Sequence, residues 1–278
     1  MTPDQYCKNR VLRSGSSFYY SFLFLPKEQR RAIHALYAFC REVDDVVDEC
    51  PDPGIARAKL QWWRSEVGNM LQGNPQHPVS KALLPAITNF KLPSAYFFEI
   101  IEGMQMDLDY NRYPDFATLE LYCYRVAGVV GLLAAEIFGY ENLRTREFAR
   151  QLGIALQLTN IIRDVREDIG RNRVYIPLKD LEHFGVPVDD IVLYRETDAF
   201  KNLISHQITR AIAHYDRAES SLPAQDRRSQ RASLIMGNIY RTLLREIQQG
   251  GCNVLSERTA LTPLRKFWIA WKTWATST

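Results

Sequence analysis

The most informative segment of this 278-residue chain reads Gln157-Leu158-Thr159-Asn160-Ile161-Ile162-Arg163-Asp164-Val165-Arg166-Glu167-Asp168. Four oxygen-bearing side chains recur in it at spacings of three, four and four, which puts them on one face of one helix: Gln157, Asn160, Asp164 and Asp168. Apolar residues fill much of the remaining surface of residues 151–168, so we expect an interior helix. Because an unpaired carboxylate stripe is very costly to bury, this face must border a wet, charged or metal-filled cavity.

A second acidic stripe lies in residues 32–49, where Arg41, Asp44 and Asp48 stand beside an apolar helical stripe. The two aspartates are one helical turn apart, close enough to share a cation, and their repulsion weakens an isolated helix. Oxygen ligands from Asp and Asn, without His or Cys, select a hard cation such as Mg²⁺, which takes part of its shell from substrate phosphate. The two stripes predict a diphosphate site bridged by Mg²⁺. A purely structural salt-bridge network is the alternative.

Arginines accompany both stripes. Arg41 and Arg163 lie within one helical turn of the carboxylates, and a guanidinium group matches phosphate geometry bidentately. Both arginines are therefore candidate phosphate ligands. Each could instead pair with its own aspartate.

Helical spacing of apolar residues continues along almost the whole chain, while the alternation typical of strands is nearly absent. Turn signals fall at residues 51–54, 73–75, 91–93, 113–115, 139–142, 170–177, 185–187, 222–223 and 250–251. They predict about eight to ten helices. With no composition shift or repeat, we predict one all-α domain over residues 1–278, a helical bundle with its site in a central cavity between facing helices.

Composition excludes several classes of protein. The net charge of +3 arises from 35 basic and 32 acidic residues, a near balance unlike the concentrated basicity of nucleic-acid binders, so no nucleic acid partner is expected. The five cysteines show neither zinc-site spacing nor a disulfide framework, which favours a reducing cytoplasm. Residues 1–17 lack the apolar core of a secretory signal. The longest apolar run, residues 126–135, falls well short of the roughly 20 residues that span a bilayer.

The C-terminal segment has an aromatic face. Five large apolar side chains fall on one side of a predicted helix, with Arg265, Lys266 and Lys272 beside them: Leu264, Phe267, Trp268, Trp271 and Trp274. This pattern is typical of an interfacial amphipathic helix, which would place a cytoplasmic protein peripherally on the inner face of the membrane. Packing of the aromatic stripe on the bundle itself is the alternative.

Several segments in order resemble the squalene/phytoene synthase family, whose members join two isoprenoid diphosphates head to head. The resemblance covers nearly the whole chain. It rests on Ser14-Gly15-Ser16-Ser17-Phe18-Tyr19, Leu25-Pro26, and the stretches 37–48, 103–107, 122–128 and 157–168. The segments 122–128 and 172–177 are most similar to the bacterial presqualene diphosphate synthases of hopanoid pathways.

The resemblance implies a role for individual residues. The positions that match the family's magnesium site are Asp44, Asp48, Asn160, Asp164 and Asp168. Positions matching substrate contacts are Arg41, Gln157, Arg163, Ser17, Phe18, Tyr37, Tyr240 and, as a distal phosphate ligand, Arg258. The four aspartates and Tyr122 are the expected catalytic residues. Aromatic faces can stabilise a carbocation, although each aromatic residue could be ordinary core.

The resemblance also implies an activity. We expect a Mg²⁺-dependent transferase, with Mn²⁺ as an alternative ion, that converts two farnesyl diphosphates to presqualene diphosphate. Squalene synthase with NADPH, and phytoene or dehydrosqualene synthase, remain alternatives. NADPH is not expected, since no dinucleotide fingerprint is visible. Residues 170–177 resemble a basic lid, with an exposed helix connection as the alternative. A non-catalytic assembly protein on the same fold is the hypothesis from another class.

Overall fold

The computed structural model describes residues 1–14 and 18–276, and the chain in these ranges is built from α-helices. They are α1 Pro3–Arg13, α2 Phe18–Phe22, α3 Lys27–Glu49, α4 Pro53–Leu71, α5 Pro78–Phe90, α6 Ala95–Asp109, α7 Phe116–Cys123, α8 Val129–Phe138, α9 Arg144–Arg163, α10 Val165–Gly170, α11 Leu178–Phe184, α12 Val188–Val192, α13 Asp198–Ser221, α14 Arg231–Gln249 and α15 Pro263–Thr276. A π-helical turn, Tyr124–Gly128, joins α7 to α8. Within the same ranges, β-pairing is limited to one bridge between Arg112 and Val174. The all-α prediction is confirmed.

Every predicted break coincides with an interruption between helices, but the described chain has fifteen α-helices instead of about eight to ten. Two of the extra helices, α2 and α12, have only five residues each. Others arise inside long apolar stretches, where the π-helical turn separates α7 from α8 and Asp164 separates α9 from α10. These interruptions contain neither proline nor a left-handed residue, so nothing in the turn chemistry announces them.

The apolar side chains form two buried clusters. One is built largely from α9, α13 and α14, and the other from α1, α3, α4, α5 and α6, while α8 contributes to both. The first acidic stripe lies on α3 and the second on α9 and α10. The two stripes therefore belong to helices of different clusters and meet only through the tertiary fold.

Two glycines allow α8 and the π-helical turn to lie directly against α9. A Cβ atom added at Gly153 would clash with the backbone of Ala127 and Gly128, and one at Gly131 would clash with the carbonyl of Ala149. Backbone atoms cannot move aside as a flexible side chain can, so a side chain at either position would push the helices apart. The turn also brings Val126 and Ala127 to the wall of the central cavity.

One helical stretch in the described residues, Phe116–Phe138, is long and apolar enough to cross a membrane. It extends beyond the apolar run seen in the sequence because α7, the π-helical turn and α8 are continuous. Half of its most apolar window is buried inside the protein. Since core helices meet the same criteria, the stretch is weak evidence for a membrane span.

Candidate active site

A cavity of about 610 Å³ lies between the two clusters, within the range typical of ligand sites. Along both α3 and α9, the residues that line it change from apolar in the N-terminal half to polar and charged in the C-terminal half. On α3 the change runs from Ile33 and Leu36 to Asp44 and Asp48. The cavity thus has a charged region and a long apolar region.

All the predicted site residues in the described part of the chain line this one cavity: Phe18, Tyr37, Arg41, Asp44, Asp48, Tyr122, Gln157, Asn160, Arg163, Asp164, Asp168, Tyr240 and Arg258. Ser17 lies outside the described residues. The structure brings the predicted residues together, and their individual roles stay a prediction.

The carboxylates of α3 are held by arginines from two directions. Arg41 donates to Asp44 Oδ2 at 2.6 Å and to Asp45 Oδ1 at 2.6 Å. Asp48 Oδ1 accepts from Arg173 Nη1 at 2.6 Å, and Arg171 approaches Asp48 Oδ2 at 3.5 Å. The pairing of Arg41 with its own aspartates, one of the two sequence interpretations, is present here. Arg41 also lines the cavity. A phosphate group bound there can replace an aspartate as its hydrogen-bond partner.

The second stripe departs from the single helix expected over residues 151–168. Helix α9 ends at Arg163, and Asp164 has φ −102° and ψ 15°, after which α10 begins. The amide of Asp164 still donates to the carbonyl of Asn160 at 2.8 Å, and that of Asp168 to the carbonyl of Asp164 at 2.9 Å. Because these bonds preserve a nearly helical path, the stripe still faces one cavity despite the interruption.

Two arginines bind Asp164. Its Oδ1 atom accepts from Arg163 Nε at 2.7 Å and from Arg258 Nε at 2.9 Å. Although burial acts to raise it, these bonds hold the pKa of Asp164 below its usual value. Asp164 is therefore a carboxylate, and it brings Arg258, from the segment before α15, to the charged region.

Two other carboxyl groups have raised pKa values. Burial, followed by repulsion from Asp48, raises the pKa of Asp44. Burial, followed by repulsion from Asp164, raises the pKa of Asp168 to about 8. Burial and like charge thus outweigh the opposing effect of the nearby arginines, which are Arg41 for Asp44 and Arg171 and Arg173 for Asp168.

The donor set fits a cation that is shared with a substrate. Asn160 Oδ1 is buried without a hydrogen-bond partner, although its Nδ2 atom donates to Gln157 Oε1 at 3.4 Å. Nowhere in the described ranges do three His, Cys, Asp or Glu side chains converge as a complete metal site. Mg²⁺ is usually held by one or two carboxylates, waters and phosphate oxygens, so an incomplete protein shell suits it.

Aromatic rings form part of the cavity wall. The Phe18 ring lies 5.8 Å from that of Tyr37 and 6.4 Å from that of Tyr240, measured between centroids. Tyr240 also neighbours Arg163. The predicted aromatic residues of α2, α3 and α14 therefore form one contiguous wall beside the charged region.

Sequence reasoning missed a buried polar cluster around Asp107. Tyr122 donates to Asp107 Oδ2 at 3.0 Å, and Tyr175 donates to Asp107 Oδ1 at 2.8 Å. Burial raises the pKa of Asp107 to about 6 and raises the pKa values of both phenols well above 10. Asp107 lies in the segment 103–107, one of those that resemble the squalene/phytoene synthase family, and this resemblance could have marked it as a candidate site residue. Nothing in the sequence pairs it with Tyr122 or Tyr175.

The segment 170–177 has an exposed first part and a buried second part. Residues 170–172 are exposed, but residues 173–177 are buried, and Val174 bridges to Arg112. Arg173 is buried and donates to Asp48 and, at 2.8 Å, to the carbonyl of Val47. An ordinary exposed connection is therefore wrong for residues 173–177, and the lid stays a prediction. Its second half links α10 to α3.

Known proteins resemble this chain in sequence and in fold. Residues 11–265 match the family described as Squalene/phytoene synthase. The presqualene diphosphate synthase of Rhodopseudomonas palustris is 38% identical over 231 residues, covering 83% of this chain and 82% of that protein. The chloroplastic phytoene synthase of an Oncidium hybrid cultivar is 36% identical over 258 residues, which are 91% of this chain but 63% of the relative's length. A crystal structure of a dehydrosqualene synthase with a bound ligand superposes with a TM-score of 0.89 at 28% identity, covering 98% of this chain and 95% of that one.

Proposed function

Because the chain belongs to the squalene/phytoene synthase family, we propose that it joins two farnesyl diphosphates head to head. The product is presqualene diphosphate, which feeds squalene and hopanoid biosynthesis, and inorganic diphosphate is released. The observation that carries the proposal is the cavity in which α3 and α9 both pass from apolar to charged lining. Such a cavity suits a substrate with an anionic head and a long apolar chain.

We assign the diphosphates to the charged region. Arg41, Arg163 and Arg258 border it, and each can exchange an aspartate for a phosphate oxygen. Mg²⁺, or Mn²⁺ in its place, would be held by Asp44 and Asp48 from α3 and by Asn160, Asp164 and Asp168 from the opposite side. When bound, it would draw electrons toward the departing diphosphate.

The reaction breaks the bond between one prenyl chain and its diphosphate oxygen, which leaves an allylic cation. The double bond of the second chain adds to this cation, and loss of a proton closes a cyclopropane ring. The wall formed by Phe18, Tyr37 and Tyr240 excludes water and offers aromatic faces to the positive charge. Asp107 fixes the phenol of Tyr122 at the same cavity.

Similarity alone does not separate presqualene diphosphate from phytoene, since the chain is 38% identical to a synthase named for one and 36% identical to a synthase named for the other. We favour the C15 substrate and the release of presqualene diphosphate because of the segments 122–128 and 172–177. The rival activities are NADPH-dependent squalene synthesis and phytoene or dehydrosqualene synthesis. Complete aspartate stripes argue against a non-catalytic assembly protein.

Product analysis tests the proposal. Purified protein with Mg²⁺ is incubated with farnesyl or geranylgeranyl diphosphate, with and without NADPH, and the products are identified by mass spectrometry. We expect presqualene diphosphate from the C15 substrate in both cofactor conditions, and at least about a thousandfold less from Asp44→Asn, which lacks a metal ligand. Squalene formed only with NADPH, or phytoene from the C20 substrate, would establish a rival. Absence of diphosphate release from either substrate would support the non-catalytic hypothesis.

A further inference from the structure

Most of the aromatic face of α15 is exposed. The exposed fractions of its large side chains are 83% for Leu264, 50% for Phe267, 58% for Trp268, 45% for Trp271 and 41% for Trp274. The opposite face is the attached one: Ala270 and Thr273 are buried, and Asn238 donates to Thr273 Oγ1 at 2.9 Å. Packing on the bundle, the alternative considered from the sequence, therefore describes Trp274, which stacks on Phe24, but not the greater part of this face.

The exposed side chains are organised into one surface. Trp268 and Trp271 stack with ring centroids 5.2 Å apart, and Trp274 stacks on Phe24 at 5.6 Å. Phe24 follows α2 and is itself 37% exposed. We call this surface the aromatic patch: Phe24, Leu264, Phe267, Trp268, Trp271 and Trp274. Contiguous exposed apolar surface of this kind marks a site of interaction with a protein or a membrane.

Positive charge accompanies the aromatic patch. Helix α15 carries no acidic residue, and its basic residues Arg265 and Lys272 are exposed, whereas Lys266 lines the cavity. The Arg265 side chain pairs with Glu246 of α14 at 2.6 Å, and the guanidinium of Arg231 lies 5.5 Å from the centre of the Trp274 ring. Basic residues beside tryptophans on one helix complement the anionic headgroups of a bilayer.

The size of the aromatic patch also favours a lipid surface over a second protein. A stable protein interface takes about 20–30 residues from each side, whereas the aromatic patch comprises six side chains on one helix and an adjoining turn. An interfacial helix needs only one apolar face, which sinks about 5–10 Å into the boundary between headgroups and acyl chains. Tryptophan is the residue that prefers this boundary.

The aromatic patch lies on the outside of the cavity wall. Lys266, on the inward side of α15, lines the cavity together with residues 259–261. Helix α15 also packs against α2, whose Phe18 lines the same cavity. A surface that engages α15 from outside would therefore lie close to the cavity.

We propose that the aromatic patch docks on the surface of an anionic phospholipid bilayer, with α15 lying in the plane of the interface. The docking does not depend on the reaction proposed above. If that reaction holds, docking places the cavity beside the phase into which prenyl substrates and products partition.

Vesicle flotation tests the proposal. The full chain is mixed, without substrate, with vesicles of phosphatidylcholine alone or of phosphatidylcholine with phosphatidylglycerol. The double variant Trp268→Ala, Trp271→Ala removes the stacked pair, and Trp62→Ala is the matched control because Trp62 is 48% exposed on α4. A third variant, Lys272→Glu, reverses an exposed charge of α15.

We expect the native chain and Trp62→Ala to float with the anionic vesicles. The double variant should bind at least about tenfold more weakly, since two aromatic side chains no longer enter the lipid, and Lys272→Glu should weaken binding to anionic vesicles only. Circular dichroism and thermal melting confirm that each variant is folded. Equal flotation of native chain and double variant, or failure of the native chain to float, would overturn the proposal. So would a native dimer that the double variant disrupts while vesicle binding stays absent. Since no substrate is present, these outcomes leave the proposed reaction untouched.

Discussion

Asp164 and Asp168 are one helical turn apart, yet their surroundings drive their protonation in opposite directions. Arg163 and Arg258 stabilise the charge of Asp164. Burial, with repulsion from Asp164, raises the pKa of Asp168 to about 8. The difference arises because Asp164 accepts hydrogen bonds from two arginines, whereas the charges of Arg171 and Arg173 do not offset the burial of Asp168 and its repulsion from Asp164.

This contrast predicts that replacing either aspartate by asparagine changes the melting temperature of the metal-free protein, but in opposite directions. Asp168→Asn should raise the melting temperature at pH 8, because an amide replaces a carboxylate that is costly to ionise there. Asp164→Asn should lower it by removing the charge that Arg163 and Arg258 neutralise. Thermal melts with a chelator present measure both effects.

The raised pKa of Asp168 makes the stability of the folded chain depend on pH. The pKa of Asp168 in the folded chain lies above its value of about 3.8 in the unfolded chain. Its contribution to stability is therefore complete below pH about 3.8 and is lost as the pH rises toward 8. We expect the native chain to lose stability between pH 6 and 8 without metal, and Asp168→Asn to lose less. An identical slope in both proteins would contradict this assignment.

At the scale of elements, the close contact between α9 and the π-helical turn sets one wall of the cavity. The turn adds a residue to the helical register, and such features often occur at functional sites. Its residues Val126 and Ala127 line the cavity, while Gly153 of α9 lies against the backbone of Ala127 and Gly128. The position of this wall therefore depends on the absence of a side chain at Gly153.

We predict that Gly153→Ala destabilises the protein by about 1–3 kcal/mol, the usual cost of overpacking a well-packed interface. Gly68→Ala is the matched control, since Gly68 lies within α4 and an added Cβ would meet nothing within 4 Å. The control should gain up to about 1 kcal/mol from the higher helix propensity of alanine. Urea unfolding followed by circular dichroism measures both changes. Equal effects of the two substitutions would show that the contact does not constrain the helices.

At the scale of the whole molecule, the cavity separates two hydrophobic clusters that each supply one acidic stripe. Arg173 already connects the two sides through Asp48. The proposed ion and diphosphate would join α3 to α9 and α10 across the remaining gap. A ligand that spans both sides binds only the folded state of the chain, because the unfolded chain does not hold the two sides together.

Such a ligand should raise the melting temperature. With Mg²⁺ and inorganic diphosphate together at about 100 times their dissociation constant, the expected stabilisation is about 2.7 kcal/mol. Either component alone should give much less, because the site has too few protein ligands to retain the ion without phosphate. Differential scanning fluorimetry of the native chain and Asp44→Asn tests this. A full shift with diphosphate and a chelator, or an undiminished shift in Asp44→Asn, would contradict the proposed metal site.

Local physics made much of this molecule predictable from its sequence. Helical spacing of apolar residues gave the all-α class, and the backbone restrictions of proline and glycine gave the positions of the breaks. The two acidic stripes were recognisable because repelling carboxylates need a compensating partner. All described residues predicted for the site line the same cavity.

Other features were decided only by the tertiary structure, because they depend on which surfaces meet. The sequence could not pair Asp107 with Tyr175 or Asp48 with Arg173, since these partners lie far apart in the chain and their contact needs the helices in place. The interruption at Asp164 carries no turn residue to announce it. The amphipathic pattern of α15 was visible in the sequence, but the same pattern is expected for a helix that packs on a protein core and for one that lies on a membrane. Packing of the opposite face through Ala270 and Thr273 is what leaves the aromatic patch exposed.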